Sequence, residues 1–495
     1  MTGSRIALLS SLLLVGACTV GPSYVQPAVA VPLSFGSGQQ QAAGDLTRWW
    51  TAFGDPVLDS LVARAQAGNL DVQQASARVR QARAQEAATR LSAGPQVNAS
   101  AQGGYTRLSK NSLPAALANL GSGSPGQSGS GIGLPGEGFT TFQIGFDASW
   151  EVDLFGGQRR ANEAAHARTG AAIWSERDAE VMLIAEVANT YQQYRALQRR
   201  IVLADATIAS GRELLDFVRV RVSSGLATTL DERRQQSDIA QLAAQREALA
   251  AEAAARVHAL ATLLGLAPND LSAELAAADP AAPASVEVPA GLPSELLRRR
   301  PDIRAAERRL AAATADIGVA TADLYPKFSL TGALQLASRA LSSLLEPDSI
   351  LANGAGRLSA PLVGRAGKTA TIRVREAQAD EALLAYRATI LGALRDVEDA
   401  LTRLDADRRR AGQLGAAASA AEDAADTAGV RYRHGLVTYL DVLEARQAAL
   451  SARDAVAQAE ASAAQDVVAL YKALGGGWDE QRMPTGKEEP NGRGN

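Results

Sequence analysis

One turn motif occurs twice in the 495-residue chain, first as Val220-Arg-Val-Ser-Ser-Gly-Leu-Ala-Thr-Thr-Leu-Asp231 and again as Val430-Arg-Tyr-Arg-His-Gly-Leu-Val-Thr-Tyr-Leu-Asp441. In each copy a glycine, Gly225 or Gly435, stands where a C′ glycine ends a long helix. The threonine and aspartate that follow have the spacing of a capping box, which begins the next helix. The motif therefore predicts two helical hairpins, and its recurrence predicts two tandem structural repeats.

Long helices lead into both turns. No proline interrupts the alanine-, arginine- and glutamate-rich stretches from about residue 160 to 223 and from about residue 368 to 433. A continuous helix of roughly 60 residues would reach about 90 Å, because each residue adds ~1.5 Å. A helix of that length suits a duct that crosses the periplasm.

Each repeat also contains a predicted strand pair, at about residues 96–155 and about residues 327–362. Residues 142–154 alternate strictly between apolar and polar side chains, and residues 97–105 and 328–336 follow the same pattern; residues 352–362 do so more weakly. Alternation over roughly 9–11 residues is typical of barrel strands with a lipid face and a wet interior. A half-buried soluble sheet would give the same alternation.

Four strands cannot close a barrel, and open sheet edges are not tolerated in lipid. Three chains would supply twelve strands, an even number typical of such barrels. We therefore predict a mainly α protein that forms a homotrimeric 12-stranded barrel, continued by a long α-helical periplasmic barrel.

The predicted order within a repeat is helix, strand pair, long helix, tip turn, helix. The first repeat takes residues 56–275 and the second takes residues 294–477, with a linker at 276–293 and a disordered tail at 478–495. The first strand pair is joined by a glycine- and serine-rich segment, Gly121–Gly131, which suits an external loop. The G-x-G-x-x-G match at 131–136 lacks the preceding strand and following helix of a dinucleotide site.

The N-terminus predicts export and lipidation. Arg5 is followed by an apolar run, Ile6–Val15, and then by Gly16-Ala17-Cys18. This pattern is typical of a secretory signal at 1–17, and the run is too short for a spanning helix. Cys18 is the sole cysteine and resembles the lipidated (palmitate-bearing) first residue of a lipoprotein, although an ordinary signal with an incidental cysteine remains the alternative. Residues 18–55 would form an anchor segment, and Thr19 favours sorting to the outer membrane.

Composition argues against several other functions. The formal net charge of −3 gives no basic footprint for nucleic acid. The three histidines, His166, His258 and His434, lie far apart, and Glu163-x-x-His166 is half of a di-iron motif without its second half. We therefore expect no enzyme activity, no cofactor and no metal site.

Four groups of residues carry a family resemblance: Cys18–Tyr24, Trp49–Leu58, Arg299–Pro326 and Tyr432–Ala445. Together they resemble the TolC-like outer-membrane efflux proteins, and within these the lipid-anchored NodT- and OprM-type channels. The resemblance covers residues 18 to about 475. It implies a homotrimer in the bacterial outer membrane, anchored by lipid and extending into the periplasm. It also implies a periplasmic adaptor and an inner-membrane RND transporter as partners in multidrug efflux.

The resemblance also implies roles for the tip residues. Gly225, Leu226, Gly435 and Leu436 would dock the adaptor's hairpin, with local packing in the turn as the alternative. Asp441 and Glu444 would lie at a periplasmic gate.

A comparison of equivalent residues in the two repeats bears on which residues belong to the gate. Helix capping accounts equally well for Asp441 and for its repeat partner Asp231. At the position equivalent to Glu444 the first repeat carries Arg234, so the capping plan that both repeats share cannot explain Glu444. An ion pair with an arginine on a neighbouring helix is the alternative. Tyr432, replaced by Val222 in the first half, would be a hydrogen-bonding latch with Asp231 as a possible acceptor.

Other classes of protein stay open at this point. A type I protein-secretion channel would share most of these features. A periplasmic adaptor lipoprotein would show one hairpin and soluble β-modules, and a coiled-coil lipoprotein would show sustained heptads. One departure from the family pattern is Pro361–Gly367, where related proteins more often carry an aromatic residue after Pro-Leu.

Overall fold

The structure is a computed structural model that describes residues 19–32, 34–36, 46–107, 138–276, 286, 288 and 293–479. The predicted signal peptide, Cys18, the external loop segment 121–131 and the match at 131–136 lie outside the described residues. Most of the predicted linker and residues 480–495 of the predicted tail lie outside them as well.

The described chain is mainly helical, with one sheet. After a short 3-10 helix, Trp49–Phe53, come α1 (Pro56–Gly68), α2 (Leu70–Ser92), β1 (Gln96–Arg107), β2 (Gly138–Val152), α3 (Gly157–Ser223), α4 (Thr229–Leu263), α5 (Ser272–Ala276), α6 (Pro293–Arg299), α7 (Pro301–Ala322), β3 (Lys327–Ser338), β4 (Ile350–Ser359), α8 (Arg365–Arg433) and α9 (Tyr439–Ala473). None of the described helices combines the length and the apolarity needed to cross a membrane.

The chain divides into two compact units. The first comprises the described parts of residues 1–25, 82–169 and 309–382, and it contains the sheet. The second comprises the described parts of residues 26–81, 170–308 and 383–495.

The sheet is antiparallel throughout, in the order β1-β2-β3-β4. Its register places the alternating apolar residues on one face: Phe146 of β2 pairs with Ala99 of β1 and with Leu334 of β3. Phe146 and Leu334 are each 58% exposed, as expected for apolar side chains on a face that contacts lipid. The outer edges of β1 and β4 have no partner strand in the described chain.

Two strand ends differ from the predicted ranges. The second predicted strand ran to Leu154, but β2 ends at Val152. The fourth was expected to run to residue 362, but β4 ends at Ser359. Pro361 lacks the N–H that the ladder needs, and this explains why pairing stops before it.

The long helices are continuous. α3 has 67 residues and α8 has 69, and the glycines inside them do not break either helix. The returning helices α4 and α9 have 35 residues each and begin and end at equivalent positions of the two repeats. The four strands, the long helices and the internal repeat confirm the part of the predicted fold class that concerns a single chain: mainly α, four strands and two tandem repeats.

The second unit packs around aromatic residues. Trp49 stacks on Tyr471 with ring centroids 4.9 Å apart. Asp55 caps α1 by accepting from the Val57 N–H at 2.9 Å, and its other carboxylate oxygen accepts from the Tyr191 hydroxyl at 2.6 Å. The end of the Trp49–Leu58 group, Phe53-x-Asp55-Pro56-x-Leu58, is therefore a helix start joined to the core of this unit.

Candidate functional site

The two hairpin turns have the same backbone geometry. Gly225 and Gly435 have φ of +72° and +75°, which is the left-handed region that glycine occupies without strain. The Leu226 N–H donates to the Arg221 carbonyl at 2.8 Å, and the Leu436 N–H donates to the Arg431 carbonyl at 2.9 Å. Both turns are therefore Schellman motifs.

The leucines after the turn glycines are exposed. Leu226 is 68% exposed and Leu436 is 72% exposed, so neither packs within its own turn. The alternative of local packing is therefore wrong for these side chains within the described chain. Both tips present an apolar side chain to the surroundings.

Both returning helices begin with a complete capping box. Asp231 accepts from the Thr228 N–H at 3.2 Å, and Asp441 accepts from the Thr438 N–H at 2.7 Å. Each threonine hydroxyl in turn accepts from the aspartate N–H. The hydroxyl and backbone N–H of Thr438 lower the pKa of Asp441. Capping therefore engages both aspartates, as the repeat comparison indicated.

Glu444 differs from the aspartates. Its side chain is exposed on α9, and it forms no salt bridge within the part of the chain that the structure describes. The suggested ion pair with an arginine of a neighbouring helix is therefore absent from this region of the described chain. Glu444 is left as an exposed carboxylate whose charge is not neutralised locally.

Tyr432 is buried between the two hairpins, but its contacts differ from the predicted ones. It is 4% exposed, and its ring lies 4.7 Å from the Arg221 Cζ and against Phe217 and Tyr439. Its hydroxyl has no hydrogen-bond partner among the described residues. Burial raises the pKa of this hydroxyl.

The predicted hydrogen bond from Tyr432 to Asp231 is therefore wrong. The Asp231 carboxylate is engaged in the Thr228 cap, where it accepts from both the N–H and the hydroxyl. Arg221 instead donates to the Tyr432 carbonyl at 3.0 Å.

Sequence reasoning missed a second buried tyrosine. The Tyr439 hydroxyl donates to the Gln235 side-chain carbonyl, and the Gln235 amide donates to the Gly211 carbonyl at 3.0 Å. Tyr439 is 3% exposed and Gln235 is 2% exposed. The repeat comparison that identified Glu444 could have found both, because the equivalent residues are Thr229 and Ala445.

The N-terminal segment, residues 19–24, is bound to the first unit. The buried Arg160 guanidinium donates to the carbonyls of Val20 and Gly21 at 3.3 Å each, and to the Ser23 hydroxyl at 3.2 Å. The Val20 N–H donates to the Phe155 carbonyl at 3.1 Å. No sequence signal pointed to Arg160.

Close backbone packing accompanies these bonds. A Cβ on Gly21, whose φ is +84°, would lie 2.5 Å from the Gly318 Cα. A Cβ on Gly156 would lie 2.6 Å from the Thr19 side chain. Glycine is therefore required at these positions for the segment to reach its binding site.

Aromatic side chains surround the same region of the first unit. Phe155 stacks on Tyr325 with centroids 4.8 Å apart, and the Trp150 indole donates to the Ala93 carbonyl at 2.9 Å. Aromatic girdles are typical of the membrane interfaces of β-barrels. The N-terminal segment therefore binds at the strand ends where such a girdle is expected.

The suspected half of a di-iron motif has other partners. Glu163 pairs with Arg160 at 2.7 Å, and the His166 ring pairs with Glu86 at 3.1 Å. Among the described residues no group of three potential ligands could hold a metal ion.

An open-edged sheet with a lipid-type face, together with two long helical hairpins, defines a class: outer-membrane channels built from several chains. Residues 61–266 and 292–476 match the family described as "Outer membrane efflux protein". The chain belongs to the outer membrane efflux protein family.

Similar proteins agree with this assignment. The chain is 34% identical to the pyoverdine export outer membrane protein OpmQ of Pseudomonas aeruginosa, over 99% of this chain and 100% of OpmQ. It is 31% identical to the toluene efflux pump outer membrane protein TtgI of Pseudomonas putida, over 94% and 97%. The solved structure of the outer-membrane channel OprN superposes with a TM-score of 0.84 at 34% identity, covering 93% of this chain and 100% of that one.

The predicted function and location are thereby confirmed at the level of the family. The chain is an outer-membrane efflux channel, with a trimeric β-barrel and a helical barrel that extends into the periplasm.

The geometry of the capping boxes gives a first prediction. Asp441→Ala removes the acceptor of the Thr438 N–H, so we expect faster hydrogen exchange in the first turn of α9. Asp231→Ala should act in the same way on α4.

The stabilisation that the Asp441 cap gives to the start of α9 should also depend on pH. Because the folded state lowers the pKa of Asp441, this stabilisation is present above the ordinary aspartate pKa and is lost as the pH falls through the lowered value. Exchange measured by mass spectrometry at several pH values, corrected for intrinsic rates, checks this. Unchanged α9 protection in Asp441→Ala would contradict a capping role.

Proposed function

We propose that the chain is the exit channel of a tripartite efflux pump, which passively conducts drugs or other small molecules delivered by an RND transporter and an adaptor. The observation that carries the proposal is the pairing of an open-edged, lipid-faced sheet with two hairpins whose tips expose leucine. The sheet requires copies of itself, and the exposed tips suit contact with a different protein. The channel itself would perform no chemistry.

Two alternatives fit less well. A type I protein-secretion channel would share the fold, but the relatives' names refer to pyoverdine export and toluene efflux and not to a protein cargo. A periplasmic adaptor would not need a four-stranded sheet with an exposed apolar face. We therefore favour small-molecule efflux.

The proposed organisation follows the repeat. The signal at 1–17 would be removed, and residues 18–55 would carry the anchor. The two repeats at 56–275 and 294–477 would each supply one strand pair and one hairpin.

We also propose that Cys18 carries lipid. Its neighbour Thr19 begins a segment that Arg160 holds beside Phe155, at the strand ends of the sheet. A lipid on Cys18 would enter the bilayer close to the barrel wall, since consecutive Cα atoms are only about 3.8 Å apart.

Lipidation can be tested directly. Cys18→Ala should abolish metabolic labelling by a clickable palmitate analogue, because no other cysteine exists in the chain. Trimers should still assemble, since the barrel itself spans the membrane. Undiminished labelling of the variant would refute the assignment, and Thr19→Ala should serve as a labelled control.

Adaptor docking is proposed for the tips formed by Gly225, Leu226, Gly435 and Leu436. A leucine that is about 70% exposed can bury most of its surface on binding. The positive φ of Gly435 means that any substitution there strains the turn, so the leucines give the cleaner test.

We expect Leu436→Glu to abolish drug resistance in a strain that depends on this channel. A charge in place of the apolar contact should prevent burial against the adaptor, whereas the fold is unaffected because the side chain is already exposed. Minimum inhibitory concentrations and in-cell crosslinking to the adaptor measure the effect. Val202→Glu, at an apolar residue 55% exposed within α3, is the matched control. Full resistance in Leu436→Glu would contradict docking at this tip.

We also propose a gate at the hairpin tips. Glu444 from three chains would place unneutralised carboxylates around the periplasmic constriction and favour cations. Asp441 and Asp231, engaged in caps, would contribute mainly to the rigidity of the tips, and Tyr432 would contribute to their packing.

Glu444→Gln should therefore lower cation selectivity in planar bilayers. The measured quantity is the reversal potential in a salt gradient, which should move towards zero. Asp423→Asn, at another exposed carboxylate of the second hairpin, should leave it unchanged. A reversal potential that does not move in Glu444→Gln would exclude this residue from the gate.

A further inference from the structure

The lipid-type face of the sheet carries one charged residue among the four described strands. Residues that pair directly share a face, and the register places Tyr105 and Arg107 of β1 on the same face as Phe146 of β2. The other residues of this face are apolar or aromatic residues, glycines, Thr140 and Ser338. Arg107 is therefore an exception to the alternation. The opposite face carries four charged residues: Asp147, Glu151, Lys327 and Arg357.

Arg107 lies at the end of the sheet that is farthest from the helices. α2 and α7 end just before β1 and β3, and α3 and α8 begin just after β2 and β4, so all four helices adjoin one end of the antiparallel sheet. Arg107 pairs with Gly138 at the other end. Because the helical barrel of this family extends into the periplasm, Arg107 is at the end of the barrel that meets the outer leaflet.

Aromatic residues mark the height of the lipid-type face. Tyr105 pairs with Thr140, and Trp150 lies ten residues farther along β2 on the same face. Ten residues extend roughly 34 Å along an antiparallel strand, and a strand tilt of about 40° reduces this to roughly 26 Å along the membrane normal. The apolar band of membrane barrels is about 25 Å tall and is flanked by two aromatic girdles. Tyr105 and Trp150 therefore occupy the outer and the inner girdle positions.

Arg107 lies beyond the outer girdle. It follows Tyr105 by two residues on the same face, which adds roughly 5 Å along the membrane normal. A charged side chain on the lipid face is costly at the bilayer midplane and nearly free of cost at the interface. The position of Arg107 therefore corresponds to the headgroup layer of the outer leaflet, where anionic groups are within reach of its guanidinium.

The Tyr105 hydroxyl lies at the same level. A side chain on Gly138 would overlap this hydroxyl, so the Tyr105 ring extends across to β2 over the glycine. Gly138 is the cross-strand partner of Arg107. A neutral hydroxyl donor and a guanidinium therefore stand side by side on the lipid-type face. This pair suits a phosphate group, because a guanidinium can donate to two phosphate oxygens at once and leaves others for the hydroxyl.

We propose that Arg107 and Tyr105 bind a phosphate group of lipid A, the phosphorylated glycolipid of the outer leaflet. The Arg107 guanidinium donates to two phosphate oxygens, and the Tyr105 hydroxyl donates to a third. β1 is an edge strand, so the site lies where a second copy joins the sheet, and bound lipid A stabilises the assembled barrel. The site follows from the position of the sheet in the outer membrane and does not depend on what the channel conducts.

The test measures lipid A binding to the detergent-solubilised trimer by native mass spectrometry. Arg107→Gln should weaken binding of diphosphorylated lipid A about tenfold, as expected for loss of a hydrogen-bonded charged pair. Arg357→Gln removes an exposed arginine from the opposite face of the same sheet and should bind like the wild type. Tyr105→Phe keeps the girdle ring and should cause a smaller loss. The melting temperature of the wild-type trimer should rise with added lipid A, and that of Arg107→Gln should rise less.

Two further lipids identify the group that is bound. Dephosphorylated lipid A keeps the acyl chains and should bind equally to the wild type and to Arg107→Gln. Phosphatidylglycerol that binds the wild type as tightly as lipid A does would overturn the assignment to lipid A.

Equal affinity of the wild type and Arg107→Gln for diphosphorylated lipid A would overturn the site, as would an equal loss in Arg357→Gln. If Arg107→Gln does not form trimers, Arg107→Lys takes its place, because lysine keeps the charge and cannot donate bidentately. Its affinity should lie below that of the wild type, and wild-type affinity in Arg107→Lys would contradict the bidentate contact.

Discussion

The unpaired edges of β1 and β4 are the constraint on which the rest of the structure depends. Each edge presents backbone N–H and C=O groups that cannot be solvated in hydrocarbon, and an unsatisfied group there costs several kcal/mol. The only remedy for a four-stranded sheet is another copy of the same sheet. Assembly with further copies is therefore a requirement of the backbone, and the trimer of this family presents every tip residue three times around one axis.

The two repeats of each chain share a backbone plan and differ in their side chains. Both turns are Schellman motifs and both returning helices start with a Thr–Asp capping box. Differences beside those turns include Tyr432, Tyr439 and Glu444, which stand in place of Val222, Thr229 and Arg234. Duplication provided two equivalent hairpins, and their divergence allows a single chain to carry unlike contacts at each tip.

Local patterns were readable from sequence, whereas long-range contacts were not. The turn glycines, the caps and the strand alternation depend on residues close together in the chain, so spacing alone predicted them. The acceptor proposed for Tyr432 was wrong because the Asp231 carboxylate is engaged by its own helix start. The spacing predicted that cap, but it did not show that the cap would keep Asp231 from bonding to Tyr432. Arg160 and Gln235 were missed because their partners come from distant parts of the sequence.

The pairing of β2 with β3 has a consequence for biogenesis. Phe146 pairs with Leu334, so the central ladder of the sheet joins the two halves of the chain. Contacts between residues so far apart form slowly, because a long loop must close first, whereas helical hairpins form from local contacts. The nascent chain therefore leaves β2 without its β3 partner until both halves have been made. During that interval the apolar side chains of the strands are exposed to water and can aggregate. A delay of this kind therefore calls for chaperones that bind the chain until the sheet is complete.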